Sequence, residues 1–316
     1  MKEISTKYGL IKGIISIDYY DDNIIEECKV DEYCEIVTDL GTLVPQYEDD
    51  GLRRKYTKSL SFYENGNIKT ISLQKQMNIK TSIGDVPAEF ISFYDNGSIK
   101  RILSLNGKIT GFWTEENEYD LATETELNLK IGKFNKKIMG IKFYDTGEVK
   151  SLTFWTAERI NIQTPCGMAD IRIGISLYED GELKSCEPSI PLKVNTSIGD
   201  IMAYDLNAIG INGDENSLNF YEDGTIKSLV TSVDKIKVTS LNGKIRTLQP
   251  GSKISYYNDK GTDIVPLVIE FYDDKIRFNK DSNSEFLIGD NSFCIGNSMH
   301  KFDAGCNSCE GCNKCS

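Results

Sequence analysis

Ser92-Phe93-Tyr94-Asp95-Asn96-Gly97-Ser98-Ile99-Lys100 is the stretch that decides the fold. Aromatic and β-branched residues flank a short polar segment that holds a glycine, which is the composition of a β-hairpin. The phrase recurs as Phe62-Tyr63-Glu64-Asn65-Gly66-Asn67-Ile68-Lys69 and as Phe143-Tyr144-Asp145-Thr146-Gly147-Glu148-Val149-Lys150. It returns again from Leu177-Tyr178 to Lys184 and from Phe220-Tyr221 to Lys227. Phe271-Tyr272-Asp273-Asp274-Lys275-Ile276 is a shortened copy without the glycine, and Tyr19-Tyr20-Asp21-Asp22-Asn23-Ile24 reads as a degenerate one. Thr146-Gly147 is a poor fit to a two-residue turn with positive φ at both centres. A three-residue loop asks for positive φ at the glycine alone and suits all five full copies. That loop sets Phe93 opposite Ile99 on one face, so the Phe/Ile face is the expected core and the tyrosines lie on the half-exposed side.

A second phrase precedes the first in several places: Thr38-Asp39-Leu40-Gly41, Thr81-Ser82-Ile83-Gly84, Thr164-Pro165-Cys166-Gly167 and Thr196-Ser197-Ile198-Gly199. Each reads as a turn that opens an alternating strand, so one unit is turn, strand, turn, strand. Tyrosine-to-tyrosine spacings of 31, 50, 34, 43 and 51 make the array irregular, with an insertion around residues 208–215. The best helical candidate spans residues 115–126 and supports one or two turns. The expected architecture is all-β: an irregular array of antiparallel β-hairpins in an extended, twisted meander sheet, with a Cys-rich C-terminal tail. Residues 1–59 read as an N-terminal β segment with the degenerate repeat, 60–280 as the hairpin repeats and 281–316 as the tail.

The Tyr94-to-Lys100 phrase, followed by Leu105-Asn106-Gly107-Lys108-Ile109-Thr110-Gly111-Phe112-Trp113, resembles the bacterial variant of the MORN repeat. Leu241-Asn242-Gly243-Lys244-Ile245 matches the middle piece a second time. The resemblance covers roughly 60–280, and it is closest over residues 93–113. It implies a chain of side-by-side hairpins and a binding or scaffolding role; some bacterial relatives are labelled antitoxin-like.

Composition narrows the function. The 316 residues carry 48 acids and 36 bases, a net charge of −12, which argues against a protein that coats nucleic acid. No run approaches the ~18 apolar residues needed to span a bilayer, and no secretory signal is visible at the start. A cytoplasmic protein is therefore expected, without a membrane or nucleic-acid partner. His300 is the only histidine, which removes most histidine-dependent catalysis, and no Ser/His/Asp or Cys/His constellation can be assembled.

Cys306, Cys309, Cys312 and Cys315 follow one another at x₂ gaps, the sharpest chemical signal in the chain. In a reducing compartment such clustering points to thiolate ligation rather than disulfides. Three cysteines at x₂ gaps resemble the bacterial ferredoxin run, so a [4Fe–4S] cluster is one occupant and zinc the alternative. Here, however, the fourth cysteine follows at x₂ rather than x₃, with no proline after it. Cys294 or His300 is the candidate remote ligand. A tail of free or oxidised thiols is the third reading. Cys28, Cys34, Cys166 and Cys186 sit in strand or turn contexts and read as packing residues.

The acidic turns, Glu64, Asp95, Asp145, Glu179 and Glu222 among them, would line one edge of a stacked array, with Lys69, Lys100, Lys150, Lys184 and Lys227 beside them. The sequence thus reads as a non-catalytic scaffold that binds a protein partner and carries a metal-binding tail. The alternative is a redox or metal-handling protein whose tail is the active centre.

Overall fold

The computed structural model describes residues 2–21, 23–49, 51–54, 58–210, 213–255 and 261–297. Among them, eighteen strands form one sheet in which every strand pairing is antiparallel. Its spine follows the chain. Gly9–Tyr19 pairs with Ile25–Val30, then come Leu60–Phe62, Ile68–Thr81, Gly84–Phe93 and Ile99–Leu103. Gly132–Phe143, Val149–Phe154, Gly167–Leu177 and Leu183–Pro188 continue it. Leu218–Phe220, Ile226–Thr231, Leu267–Phe271, Lys275–Phe278 and Glu285–Leu287 complete it. The all-β hairpin array expected from the phrase is therefore the fold.

The turns form as the glycine dictates. Tyr94 N–H donates to Ser98 O at 2.8 Å and Gly97 N–H to Tyr94 O at 3.0 Å, with Gly97 at φ 90°. This three-residue loop repeats at Tyr63, Tyr144, Tyr178 and Tyr221. Tyr20 closes the same loop on Asn23 at φ 59°, since asparagine tolerates the left-handed region better than most residues. Tyr272, whose copy lost the glycine, makes a two-residue loop instead, with its N–H donating to Lys275 O at 2.9 Å. Phe93 pairs with Ile99, Phe143 with Val149 and Phe220 with Ile226. Phe93, Phe143, Val149 and Phe220 are buried in one hydrophobic cluster, and Ile99 and Ile226 pack against it half-buried.

The threonine phrase builds the second kind of hairpin. Thr81 Oγ1 donates to Gly84 O at 2.7 Å and accepts from Ile83 N–H at 3.4 Å. Thr38, Thr164 and Thr196 repeat both bonds, and so does Thr6 across Thr6-Lys7-Tyr8-Gly9. That copy escaped the sequence reading because Lys7-Tyr8 carries no turn signature.

A longer period underlies both phrases. Thr6 and Thr164, Gly9 and Gly167, Tyr20 and Tyr178, Cys28 and Cys186, Thr38 and Thr196, and Tyr63 and Tyr221 all lie 158 residues apart. The strand pairings repeat at the same offset: Ile17 with Cys28 as Ile175 with Cys186, and Leu60 with Ile71 as Leu218 with Leu229. The spine is thus duplicated from Lys2–Thr6 through the Tyr63 hairpin.

The one α-helix among the described residues, Glu115–Leu121, is shorter than the 115–126 reading. Thr114 and Asn117 form its capping box. It ends where Thr125 and Leu127 bury on alternate positions, because two-residue periodicity draws Glu124–Leu129 into a strand against Gly132–Phe143. Strands also continue past Asp281. Asn291–Asn297 pairs along Asp234–Ser240.

Candidate functional site

The tyrosines that mark the repeat are joined by a ladder. Tyr20 Oη donates to Phe62 O at 2.9 Å, Tyr63 to Phe93 O at 2.8 Å and Tyr94 to Phe143 O at 2.8 Å. Tyr144 donates to Leu177 O at 2.9 Å, Tyr178 to Phe220 O at 2.8 Å and Tyr221 to Phe271 O at 3.0 Å. Each hydroxyl reaches the carbonyl just before the next turn, so each repeat fixes its successor. The rings are half-buried, and their hydroxyls are directed into the sheet edge.

The charges follow the same period. Lys69, Lys100, Lys150, Lys184, Lys227 and Lys275 place Nζ 5.3–5.7 Å from the centroid of the tyrosine in their own hairpin. The lysines therefore meet aromatic faces beside the acidic turns. Burial pushes the Tyr94, Tyr144 and Tyr178 hydroxyls above their ordinary value, and the next turn's acid pushes further: Asp145, Glu179 and Glu222 respectively. Between successive turns the surface is grooved. One such groove, about 860 Å³, runs past Tyr178, Lys184, Tyr221, Asp223, Tyr272 and Asp274.

Beside the ladder lies a cavity of about 750 Å³ lined by Glu187, Asp214, Asn216, Ser217, Lys227 and Glu270. Its roof includes the insertion between the Thr196 and Tyr221 hairpins. Gly213 sits so close to the sheet that a Cβ there would lie 2.0 Å from Leu152 O. Gly213 N–H donates to Thr153 Oγ1 at 2.9 Å, and Lys142 Nζ holds Asp214 at 2.8 Å. Glu187, 1% exposed, accepts from Ser217 N–H at 2.8 Å and Ser217 Oγ at 3.0 Å, with the Arg172 guanidinium 3.7 Å away. Burial outweighs these partners and raises its carboxyl to about 7. This buried carboxyl, which changes charge near neutral pH, was missed in the sequence. Its only signal is a charged residue interrupting the buried face of Leu183–Pro188.

The segment that carries the family resemblance takes a different form from the other repeats. After Ile99–Leu103 the chain leaves the sheet, and residues 105–113 form a loop. Gly107 N–H donates to Glu118 Oε1 at 2.9 Å and Asn106 N–H to Glu89 Oε2 at 2.8 Å, while Arg53 Nη1 donates to Glu89 Oε2 at 2.9 Å. Two buried carboxylates and an arginine thus anchor the loop.

Of the candidate metal ligands, Cys294 is exposed on Asn291–Asn297, opposite Lys237. Cys306, Cys309, Cys312, Cys315 and His300 lie outside the described residues. Among the described residues no group of three His, Cys, Asp or Glu is placed to hold a metal ion, and no helix is long and apolar enough to cross a membrane. Cys28, Cys34 and Cys186 are buried in the core, and desolvation pushes the Cys28 thiol up to about 12. Such a thiol is protonated and inert at neutral pH. Compared with protein-family models, curated proteins and solved structures, the chain finds no significant match.

Proposed function

We propose that the chain is a cytoplasmic, non-catalytic scaffold of MORN-variant type that binds a protein partner, with Cys306, Cys309, Cys312 and Cys315 as a separate thiolate site at its end. The observation that carries this reading is the ladder. Six tyrosine hydroxyls are committed to joining one hairpin to the next, at 2.8–3.0 Å. The repeated residues therefore serve the construction of a long surface. Such a surface suits the binding of an extended partner.

The terminal thiolates favour a second reading, a redox or metal-handling protein in which the sheet docks the client and the four cysteines hold a [4Fe–4S] cluster or zinc. Anaerobic purification with iron, sulfide and zinc analysis separates the two. On the scaffold reading, substituting Cys306, Cys309, Cys312 and Cys315 by serine abolishes metal content and leaves partner binding intact. Absorption near about 400 nm that responds to reductant, together with partner binding that fails in the serine variant, would establish the redox reading instead.

A further inference from the structure

The duplication makes the first strand of the spine comparable, position by position, with one inside it. Residues 15–19 of Gly9–Tyr19 correspond to residues 173–177 of Gly167–Leu177. Inside the array that segment is covered on one edge by Val149–Phe154: Ser151 pairs with Ser176, Leu152 with Ile175 and Thr153 with Gly174. It is covered on the other edge by Leu183–Pro188. At the start of the spine only the second neighbour exists among the described residues. Residues 16–19 pair with Ile25–Val30, and Lys2–Thr6 reaches no further along the strand than Ile14. The consequence shows in exposure. Ile15 is 52% exposed where Ile173 is 5%, and Tyr19 is 42% exposed where Leu177 is 2%.

Among the described residues, the ladder is incomplete at the same place. Within the spine, the carbonyl preceding a turn tyrosine accepts a hydroxyl from the repeat before, as Leu177 O does from Tyr144. Tyr19 O is the equivalent position in the first hairpin. Extended, and without a second neighbour among the described residues, this edge presents Ile15 and Tyr19 beside Ser16 and the Lys58-paired Asp18, and it is a template for strand addition.

We propose that residues 15–19 form a docking edge for the outgoing strand of a tyrosine-phrase hairpin from a partner protein. The proposal rests on the scaffold reading and names its partner chemistry: an aromatic-Tyr-turn-Gly phrase followed by a strand like Val149–Phe154. The partner strand pairs antiparallel with Ile17 and Asp18, its tyrosine hydroxyl bonds Tyr19 O, and its apolar residues cover Ile15 and Tyr19. Among the described residues, a second copy of this chain has no uncovered outgoing strand to give. Its own last outgoing strand, Lys275–Phe278, is already covered by Glu285–Leu287. One departure bears on register. Gly174 lies so close to its neighbour that a Cβ would approach Leu152 O at 2.5 Å, and Ser16 takes its place. The left-handed residue also moves, from Ile173 at φ 63° to Gly13 at φ 63°. The edge strand pairs with its inner neighbour from Ser16 to Tyr19, so the guest pairs from Ile17 onward.

The probe is a synthetic peptide of residues 143–154 added to the intact chain, with amide hydrogen exchange read at residues 16–19. Slowing of at least about tenfold at those amides is expected, as is a comparable loss of affinity in Ile15→Lys and, separately, in Tyr19→Lys. Both side chains are exposed, so folding is preserved, and circular dichroism checks it. Ile254→Lys, on a distant exposed strand, leaves binding unchanged. No protection, protection elsewhere, or equal binding by Ile15→Lys overturns the proposal. So does sedimentation showing a dimer that Ile15→Lys dissolves, which would mean that a second copy occupies the edge. None of these results touches the scaffold reading, which falls on the metal and partner measurements above.

Discussion

Replacing Tyr94 by Phe removes one rung of the ladder and nothing else. The ring stays, Lys100 keeps its aromatic face, and only the 2.8 Å bond to Phe143 O is lost. A neutral hydrogen bond contributes about 0.5–1.5 kcal/mol net. Tyr94 is half-buried, so water partly replaces the hydroxyl and the lower half of that range applies, about 0.5–1 kcal/mol. At a urea slope of about 3 kcal/mol/M, the midpoint falls by roughly 0.2–0.3 M. The triple variant Tyr63→Phe, Tyr94→Phe and Tyr144→Phe removes three separate rungs, and nearly additive losses bring the shift to about 0.5–1 M. Tyr272→Phe is the internal control. It carries the same phrase and the same lysine contact at 5.3 Å, yet among the described residues no later repeat supplies its hydroxyl with a carbonyl. Its midpoint is expected to be unchanged. Equilibrium urea unfolding followed by circular dichroism decides the matter. Equal losses for Tyr94→Phe and Tyr272→Phe, or no loss in the triple variant, would refute the ladder as a source of cohesion.

Tyr94, Tyr144, Tyr178 and Tyr221 all titrate above the ordinary 10.0 in the folded chain, so the protonated form is favoured by folding. Their contribution is fully present below pH 10 and is lost as pH rises through the folded values, and a spectrophotometric tyrosinate titration should show the array unfolding with that rise. Glu187 moves from 4.5 to about 7, so the neutral form is the stable one inside. The wild type is expected to lose about 3 kcal/mol relative to Glu187→Gln as pH climbs from 4.5 to 7, and a flat difference across that window in paired denaturation curves would disprove the assignment. Two glycine substitutions separate backbone strain from collision. Gly97→Ala meets no atom within 4 Å and costs the left-handed penalty of about 1–2 kcal/mol, whereas Gly213→Ala drives a methyl into Leu152 O and should release the insertion, read as faster exchange of the amide at position 213 than in the wild type.

The hairpins were legible because their cause is local. A glycine that alone can take φ near 90° fixes each turn, and the alternation of Phe with Tyr fixes which face is buried. The Tyr20 and Tyr272 copies lack the glycine and were readable only from their aromatic-Tyr-acidic pattern. The ladder was not legible, since each rung joins residues 30 to 50 positions apart and depends on how repeats stack. Glu187 was hidden in a similar way. Its burial comes from contacts made across the sheet, Ser217 among them, and a single carboxylate among 48 acids has no sequence mark. The helix has the one or two turns read from the sequence, and only its far end is decided by a competition between periods: Glu115-Glu116 capped by Thr114 starts a helix, but Thr125 and Leu127 are claimed by the sheet.

Irregular spacing and regular geometry have a common explanation. Successive turn tyrosines from Tyr63 to Tyr272 are separated by 31 to 51 residues, yet the bonds that join them vary only from 2.8 to 3.0 Å. The chain absorbs the difference outside the spine, in threonine hairpins, the Glu115–Leu121 helix and the insertion seated through Gly213. Such segments change length at little energetic cost when their ends are held by a rigid frame, because closure entropy grows only slowly with loop length. The frame is therefore the invariant part and the excursions are where individuality resides. Recognition surfaces built on this chain should accordingly lie on the excursions and at the open edge, since the core face of the spine is buried and its tyrosine hydroxyls are already bonded.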